Sequence, residues 1–379
     1  MANKNTVSND WLINIVLTLA VSLGSLCAGE LLLRALPLSD RLGWNRVPPF
    51  SKRIEQFNLK AKTKIVCLGN SFAIWRAGEG VNMFDYAQKS LFSKGCAILN
   101  LGVAGTTIEQ YMAIYNTSVR FKPDGIIMCL YLGNDIYNYS SLPVNDAMPI
   151  DEGPGGQGWK SFFKRHSILA NLIFRFGKEH IPFLRSGFFE GNIKELQKSH
   201  GLSSEVIQSR IKQIDPRLLT LAKSDAINSW ILAQAIAHPA YYKDLFALRS
   251  QDAFIAADET VAIIEKFYRK QGLRDFFVVL LPESIQVSEK YDYFFKQCGF
   301  DLDDFPLPER RKVTLYIQKK LNESGIRTLD TTAALASEEN VFINLDTHLN
   351  AKGHKIVGTL ITRFIESQLY PPHTISHNK

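Results

Sequence analysis

The stretch KIVCLGNSFAIW, residues Lys64 to Trp75, is an apolar run that stops at Gly69-Asn70-Ser71 and resumes with Phe72. A continuous apolar run of this length predicts a strand buried on both faces, not an alternating surface strand. A strand that ends in Gly-Asn-Ser has two readings. Ser71 can simply cap a following helix, or it can be a hydroxyl held out for chemistry. The rest of the chain has to decide between them.

Similar runs recur along the 379 residues. Strands are expected at Lys64–Leu68, Ala97–Leu101, Gly125–Leu132, Asp275–Leu281 and Ile326–Leu329, and helical patterns lie between them. That alternation predicts an α/β fold with a parallel sheet. Helices are expected over Asp258–Gln271 and over Glu309–Glu323, the second ending at Gly325, a natural C-cap. In the last helix, capped by Asn350, Ile356, Val357, Leu360, Ile361, Phe364 and Ile365 share one face. An insertion at about 140–250 is far longer than an ordinary connection between strand and helix. Its Trp159 and Trp230 are candidates for sugar stacking, though core packing is the commoner use of tryptophan. The remaining divisions are a tail and apolar segment over 1–34, a connector over 35–62, the main domain over 63–370 and a tail over 371–379.

Composition narrows the function. The chain is 46% hydrophobic and 21% charged, ordinary for a globular protein. Its net charge of +7 is spread along the chain without a basic-aromatic array, which argues against nucleic-acid binding. The five cysteines, at 27, 67, 96, 129 and 298, form no CxxC pair, and Cys67 and Cys129 fall inside strand-like runs where a thiol packs as a small hydrophobe. Trp11 to Gly29 carries no charge over 19 residues, long enough for a membrane-spanning helix. Only Lys4 precedes it as a basic residue, and LGSLC is a poor lipobox, so a retained anchor is expected rather than a cleaved leader. Arg34, Arg41, Arg46, Lys52 and Arg53 follow the span, and the positive-inside rule taken literally puts the large domain in the cytoplasm.

Four short segments stand where open α/β sheets place their sites, just beyond the strands or before the last helix. They are Gly69-Asn70-Ser71, the loop with Gly102 and Gly105, Gly133-Asn134-Asp135, and Asp346-Thr347-His348. Singly, each reads as an ordinary turn or cap. Together they hold a serine hydroxyl (Ser71), a base (His348) and an acceptor to orient the base (Asp346). The backbone N–H groups of Ser71 and Gly102 and the side-chain amide of Asn134 are candidate donors to an oxyanion. Asp135 reads as structural. A metal site on Asp346, His348 and His354 is disfavoured because His354 falls within the last helix. No GxGxxG or Walker motif follows the first strand, so no cofactor is expected.

The ordered set Ser71, Gly102, Asn134, His348 resembles the SGNH (GDSL-like) hydrolase superfamily over roughly residues 63–365, leaving out the insertion. The resemblance implies a flavodoxin-like three-layer α/β/α sandwich with a mostly parallel five-stranded sheet, and a serine esterase or acyltransferase mechanism. The N-terminal apolar segment followed by GELLLR, and the late DTHLNAKGH, are similar to membrane-anchored members. Those members and the related alginate-acetylation proteins act on O-acyl groups of extracytoplasmic polysaccharides. That implies an acylated carbohydrate substrate, a periplasmic placement against the flanking charges, and a membrane O-acyltransferase as possible partner. Two positions depart from the pattern. Asn70 stands where the first block usually has Asp, and the last block is more often Asp-x-x-His, although the alginate-acetylation relatives use a similar Asp-x-His. The departure at Asn70 keeps open a non-catalytic glycan-binding or scaffold protein. A cytoplasmic-facing lipid or thioester hydrolase is the third reading.

Overall fold

All five expected strands form and pair in parallel: β1 Thr63–Leu68, β2 Cys96–Asn100, β3 Gly125–Tyr131, β4 Asp275–Leu281 and β5 Arg327–Asp330. The computed structural model describes residues 60–74, 81–136, 188–223, 227–273 and 275–369, together with 16–18, 21–22, 24–29, 31–32, 53 and 57. The strand order is β2-β1-β3-β4-β5, the flavodoxin-like doubly wound order. It puts β1 and β3 side by side, with Leu68 at the end of β1 paired to Met128 near the end of β3, an adjacency that neither composition nor spacing would show.

Alternation along each strand sends side chains to two separate cores. Ile65, Cys67, Ile127, Cys129, Phe277 and Val279 point to one face, while Val66, Leu68, Ile126, Met128, Phe276 and Val278 point to the other. The first face is covered by α2 (Met83–Leu91) and the last helix, Ala351–Leu369. These two helices approach so closely that a Cβ on Gly358 would sit 2.6 Å from the Met83 carbonyl oxygen. A short α1 (Ser71–Ile74) opens directly off β1 on this side, with Phe72 and Ala73 buried there. The second face is covered by α3 (Ile108–Asn116), by the helices of the insertion, and by helices around β4. The three-layer α/β/α arrangement follows.

Within the insertion the described helices are α4 (Phe188–Ser199), α5 (Ser204–Ile211), α6 (Pro216–Lys223), α7 (Ser229–Ala237) and α8 (Tyr241–Ala247). Their apolar faces continue the second core through residues such as Leu196, Ile207, Leu232 and Phe246. Trp230 packs partly buried against that core, its ring edge-on to Tyr241, so core packing is its role here. Trp159 lies outside the described residues.

Two expected helices differ in extent. The one expected from Asp258 begins seven residues earlier as α9 (Gln251–Gln271), because the Ser250 hydroxyl caps it by accepting the Ala253 N–H at 3.1 Å. After α10 (Ser284–Val287) and α11 (Asp292–Cys298), the helix expected from Glu309 is split into α12 (Leu307–Arg310) and α13 (Lys312–Glu323). The break follows Arg310, a fully buried guanidinium that turns inward to the Asp292 carboxylate and to the carbonyls of Phe305 and Ile285. After β5 come α14 (Thr332–Ala336) and α15, the last helix, capped by the Asn350 side chain at the Gly353 N–H.

The chain divides into two units, Asn45–Pro154 with Ser186–Lys379, and Met1–Trp44 with Gly155–Arg185. The sheet and its helices belong to the first. In the second, the described residues between 16 and 32 are helical and expose Val16, Leu17, Val21, Leu26, Leu31 and Leu32. Among the described residues no helix is long and apolar enough to cross a membrane. The expected span Trp11–Gly29 lies partly outside them, as do most of the connector 35–62 and the whole tail from 371.

Candidate functional site

The end of β1 hands Ser71 to the first turn of α1, and two contacts make the handover tight. A Cβ on Gly69 would lie 2.7 Å from the Cβ of Ala73 and 2.9 Å from that of Cys129, so only glycine lets α1 turn back over β3. Gly102 meets the same helix from β2, where a Cβ would lie 2.6 Å from Ile74 and 2.8 Å from Ala73. Close packing against α1, rather than room for a ligand, is what requires glycine at 102.

Asn70 explains itself through its partners. Its Oδ1 accepts the Phe72 N–H at 2.9 Å, shaping the turn. Its Nδ2 donates to Asn134 Oδ1 at 2.9 Å and to Asp135 Oδ1 at 3.0 Å. An aspartate could accept at the turn but could not donate in the other direction without holding a proton. Asp135 is buried and also accepts the Tyr111 hydroxyl at 3.0 Å and the Tyr131 N–H at 2.8 Å. Burial pushes its carboxyl up to about 7 in spite of those donors. The structural reading of Asp135 fits this: it ties β3 to the turn at Asn70.

The loop before α15 brings the late pair together. Asp346 Oδ1 accepts the Thr347 N–H at 2.6 Å and the His348 N–H at 3.1 Å, an Asx-type turn made by its own side chain. That turn folds the His348 ring back so that Nδ1 reaches the same oxygen at 2.7 Å. A spacing of two therefore suffices, without a helical turn. The loop is closed at its base by Ile343 N–H to His348 O at 2.9 Å and by Asn350 N–H to Val341 O at 3.0 Å. Leu345 takes a left-handed φ of 58° next to Asp346.

Ser71 and His348 meet across the sheet end, with His348 Nε2 2.9 Å from Ser71 Oγ. With Asp346 ionised, one tautomer satisfies both contacts: Nδ1–H donates to Asp346 and Nε2 accepts from Ser71. Burial alone would raise the Asp346 carboxyl. Attraction to the facing His348, with the ring and amide hydrogen bonds, outweighs it and holds the carboxyl below the ordinary aspartate value.

The candidate oxyanion donors are not alike. Ser71 N–H lies in the first turn of α1, where N–H groups lack helical acceptors. Asn134 has its Oδ1 taken by Asn70, which turns its NH2 end into the one available to a ligand. The Gly102 N–H is engaged, donating to Asn100 Oδ1 at 3.0 Å, while Asn100 Nδ2 donates to the Ala73 carbonyl at 2.7 Å. Arg53 clamps this loop from the connector, donating to the carbonyls of Asn100 and Gly102 at 2.8 and 2.9 Å. The insertion also reaches the site: the Tyr241 hydroxyl on α8 donates to the Gly133 carbonyl at 3.1 Å. His354 lies in α15, buried, and among the described residues neither ring nitrogen has a hydrogen-bond partner. Burial, with the neighbouring His348, pushes it down to about 3. Among the described residues no group of side chains could hold a metal ion.

The sheet order and the four blocks at its C-terminal edge make one arrangement. The fold is α/β, with helices on both faces of a parallel five-stranded sheet. No protein-family model matches the chain, and no curated protein matches it in sequence. Solved structures similar to it include a catalytic mutant of an acetylxylan esterase from Geobacillus stearothermophilus. That structure is 13% identical with a TM-score of 0.37, and the match covers 80% of this chain and 94% of the esterase. A protein described as a GDSL-like lipase from Parabacteroides merdae is 11% identical with a TM-score of 0.32, covering 81% and 96%. An extracellular lipase from Streptomyces rimosus is 12% identical with a TM-score of 0.34, covering 80% and 98%. At these values the chemistry is left to the geometry of the site itself.

Proposed function

We propose that the chain is a serine esterase or O-acyltransferase that works through an acyl-serine intermediate. The observation that carries this is the line Asp346–His348–Ser71, with contacts of 2.7 and 2.9 Å on opposite ring nitrogens. Ser71 Oγ attacks an ester carbonyl carbon while its proton passes to His348 Nε2. Asp346 stabilises the imidazolium that forms. The carbonyl oxygen becomes an oxyanion facing the Ser71 N–H and the Asn134 NH2, and Gly102 joins as a donor that Asn100 must release or share. Collapse breaks the ester bond, and the leaving alkoxide takes the proton from Nε2. A water or a sugar hydroxyl then gives its proton to Nε2 and attacks the acyl carbon; the acyl–Oγ bond breaks and Oγ takes the proton back from Nε2, regenerating Ser71.

The substrate in this reading is an O-acyl group, acetyl in the simplest case, on a cell-surface carbohydrate. The apolar segment Trp11–Gly29 anchors the chain in a membrane with the site on the extracytoplasmic side, near a membrane O-acyltransferase. The support for these finer points is the similarity of the N-terminal and last-block sequences to membrane-anchored SGNH proteins. The test is hydrolysis of 4-nitrophenyl acetate, and acetate release from an acetylated polysaccharide, by full-length protein and by Ser71→Ala. Hydrolysis lost in the variant is expected. Equal rates from both sink the enzyme reading and leave the scaffold reading in its place. External protease on spheroplasts tests placement: a domain that survives intact contradicts the extracytoplasmic side.

A further inference from the structure

Thr347, the residue between Asp346 and His348, is buried. Its hydroxyl stands on the side of Tyr131, the last residue of β3, close enough to act on the phenol as a donor. The Tyr131 hydroxyl in turn donates to Oε2 of Glu283, which lies two residues beyond β4 and is fully buried. Glu283 Oε2 also accepts the Tyr242 hydroxyl from α8 at 3.3 Å, and Oε1 accepts the Ser284 N–H at 2.7 Å and hydroxyl at 2.9 Å. The Glu283 N–H is held by Gln286 Oε1 at 2.9 Å, and Gln286 is itself fixed to the Arg310 carbonyl at 2.7 Å.

The same tyrosine reaches His348 by a second route. Its ring stacks on Phe72 with centroids 3.6 Å apart, and Phe72 stacks on the His348 ring at 4.4 Å, both pairs tilted by 20°. Gly133 is glycine because a Cβ there would lie 2.4 Å from the Tyr131 ring. Tyr131 thus touches the backbone side of the histidine loop through Thr347 and its ring side through Phe72. Both routes end on one carboxyl.

We propose that Tyr131 and Glu283 are positioning residues, which hold Thr347 and Phe72 so that the His348 ring stays in line between Asp346 and Ser71. The inference rests on the serine-hydrolase reading above. A catalytic pair misplaced by about 1 Å loses up to about 100-fold in rate, and a chain of hydrogen bonds that fixes one loop acts as a unit rather than as a sum. A purely structural cluster predicts something else: lower stability, with the folded fraction turning over at the wild-type rate.

The experiment measures kcat and KM for 4-nitrophenyl acetate, and the rate of fluorophosphonate labelling, on full-length Thr347→Val, Thr347→Ser, Tyr131→Phe and the Val/Phe double variant. Thr347→Val and Tyr131→Phe are expected to lower kcat and labelling rate roughly 10- to 100-fold with KM within about twofold. Thr347→Ser restores the hydroxyl and stays within about threefold of wild type. The double variant falls no further than the worse single variant. A wild-type rate in Thr347→Val, a loss in Thr347→Ser equal to that in Thr347→Val, or losses that multiply in the double variant overturns the inference. Should Tyr131→Phe not fold, the two Thr347 variants decide alone. A wild type without activity or label sinks the serine-hydrolase reading instead, so the two failures are distinct.

Discussion

Two carboxyl groups serve the same three-residue loop from opposite sides, and the fold treats them differently. In front, Asp346 faces the His348 ring nitrogen and two backbone N–H donors, and its carboxyl is held below the ordinary range. Behind, Glu283 accepts four hydrogen bonds from Tyr131, Tyr242 and Ser284, yet burial pushes it up to about 7. Hydrogen bonding alone does not settle the charge state. Attraction to the facing His348 adds to the hydrogen bonds at Asp346 and favours its charged form. In the proposed mechanism the front carboxylate meets the charge that appears on His348, and the rear carboxyl holds a shape.

Asp346→Asn tests the front side at its strongest. It keeps the size but reverses the preferred tautomer of His348, and a loss of about 10³- to 10⁴-fold in kcat is expected. A loss under tenfold removes Asp346 from the mechanism. Asn134→Ala comes next, with about 10²- to 10³-fold lost from kcat if its NH2 stabilises the oxyanion. Steady-state kinetics on a small acetyl ester reads both.

On the rear side the expected signature is in stability rather than charge transfer. Glu283 is raised from an ordinary 4.5 to about 7, so the folded protein keeps a proton that the unfolded chain releases between those values. The stability this contributes is complete below pH 4.5 and is lost as pH rises through 7. Glu283→Gln removes that slope. Denaturant melts of wild type and variant should differ between pH 4.5 and 8 by up to on the order of 3 kcal/mol, with the variant favoured at high pH. An unchanged difference across that range means Glu283 is not held protonated.

His354 gives the opposite sign and the smallest effect. Its folded value of about 3, against an ordinary 6.5, means the unfolded chain takes up a proton that the folded protein refuses, so stability falls as pH drops below 6.5. His354→Leu should relieve this, its advantage growing by roughly 2 kcal/mol from pH 8 to pH 5. A constant difference contradicts the burial of a neutral, unpartnered ring.

The front side was legible in the sequence and the rear side was not, for a physical reason. Residues such as Ser71, Asn134 and His348 follow apolar runs or precede a capped helix, and those runs mark buried strands whatever their order in the sheet. Tyr131 reads only as the last letter of a strand, Thr347 as a spacer, and Glu283 as one more acid after a strand. Their partnership exists because β3 lies beside β4, an adjacency that the 150 or so intervening residues hide. Asn70 was visible as a departure, but its reason was not: both acceptors of its NH2 stand more than 60 positions away. The Gly102 N–H shows the converse, since its engagement with Asn100 two residues earlier leaves no trace in a one-dimensional pattern.

The central claim is that Ser71 is a nucleophile activated by His348. Full-length protein treated with a fluorophosphonate probe, digested and analysed by mass spectrometry, tests it most directly. The account predicts one adduct, on Ser71, absent in Ser71→Ala and strongly slowed in His348→Ala. Folded protein that takes no label, or takes it on another residue, contradicts the account.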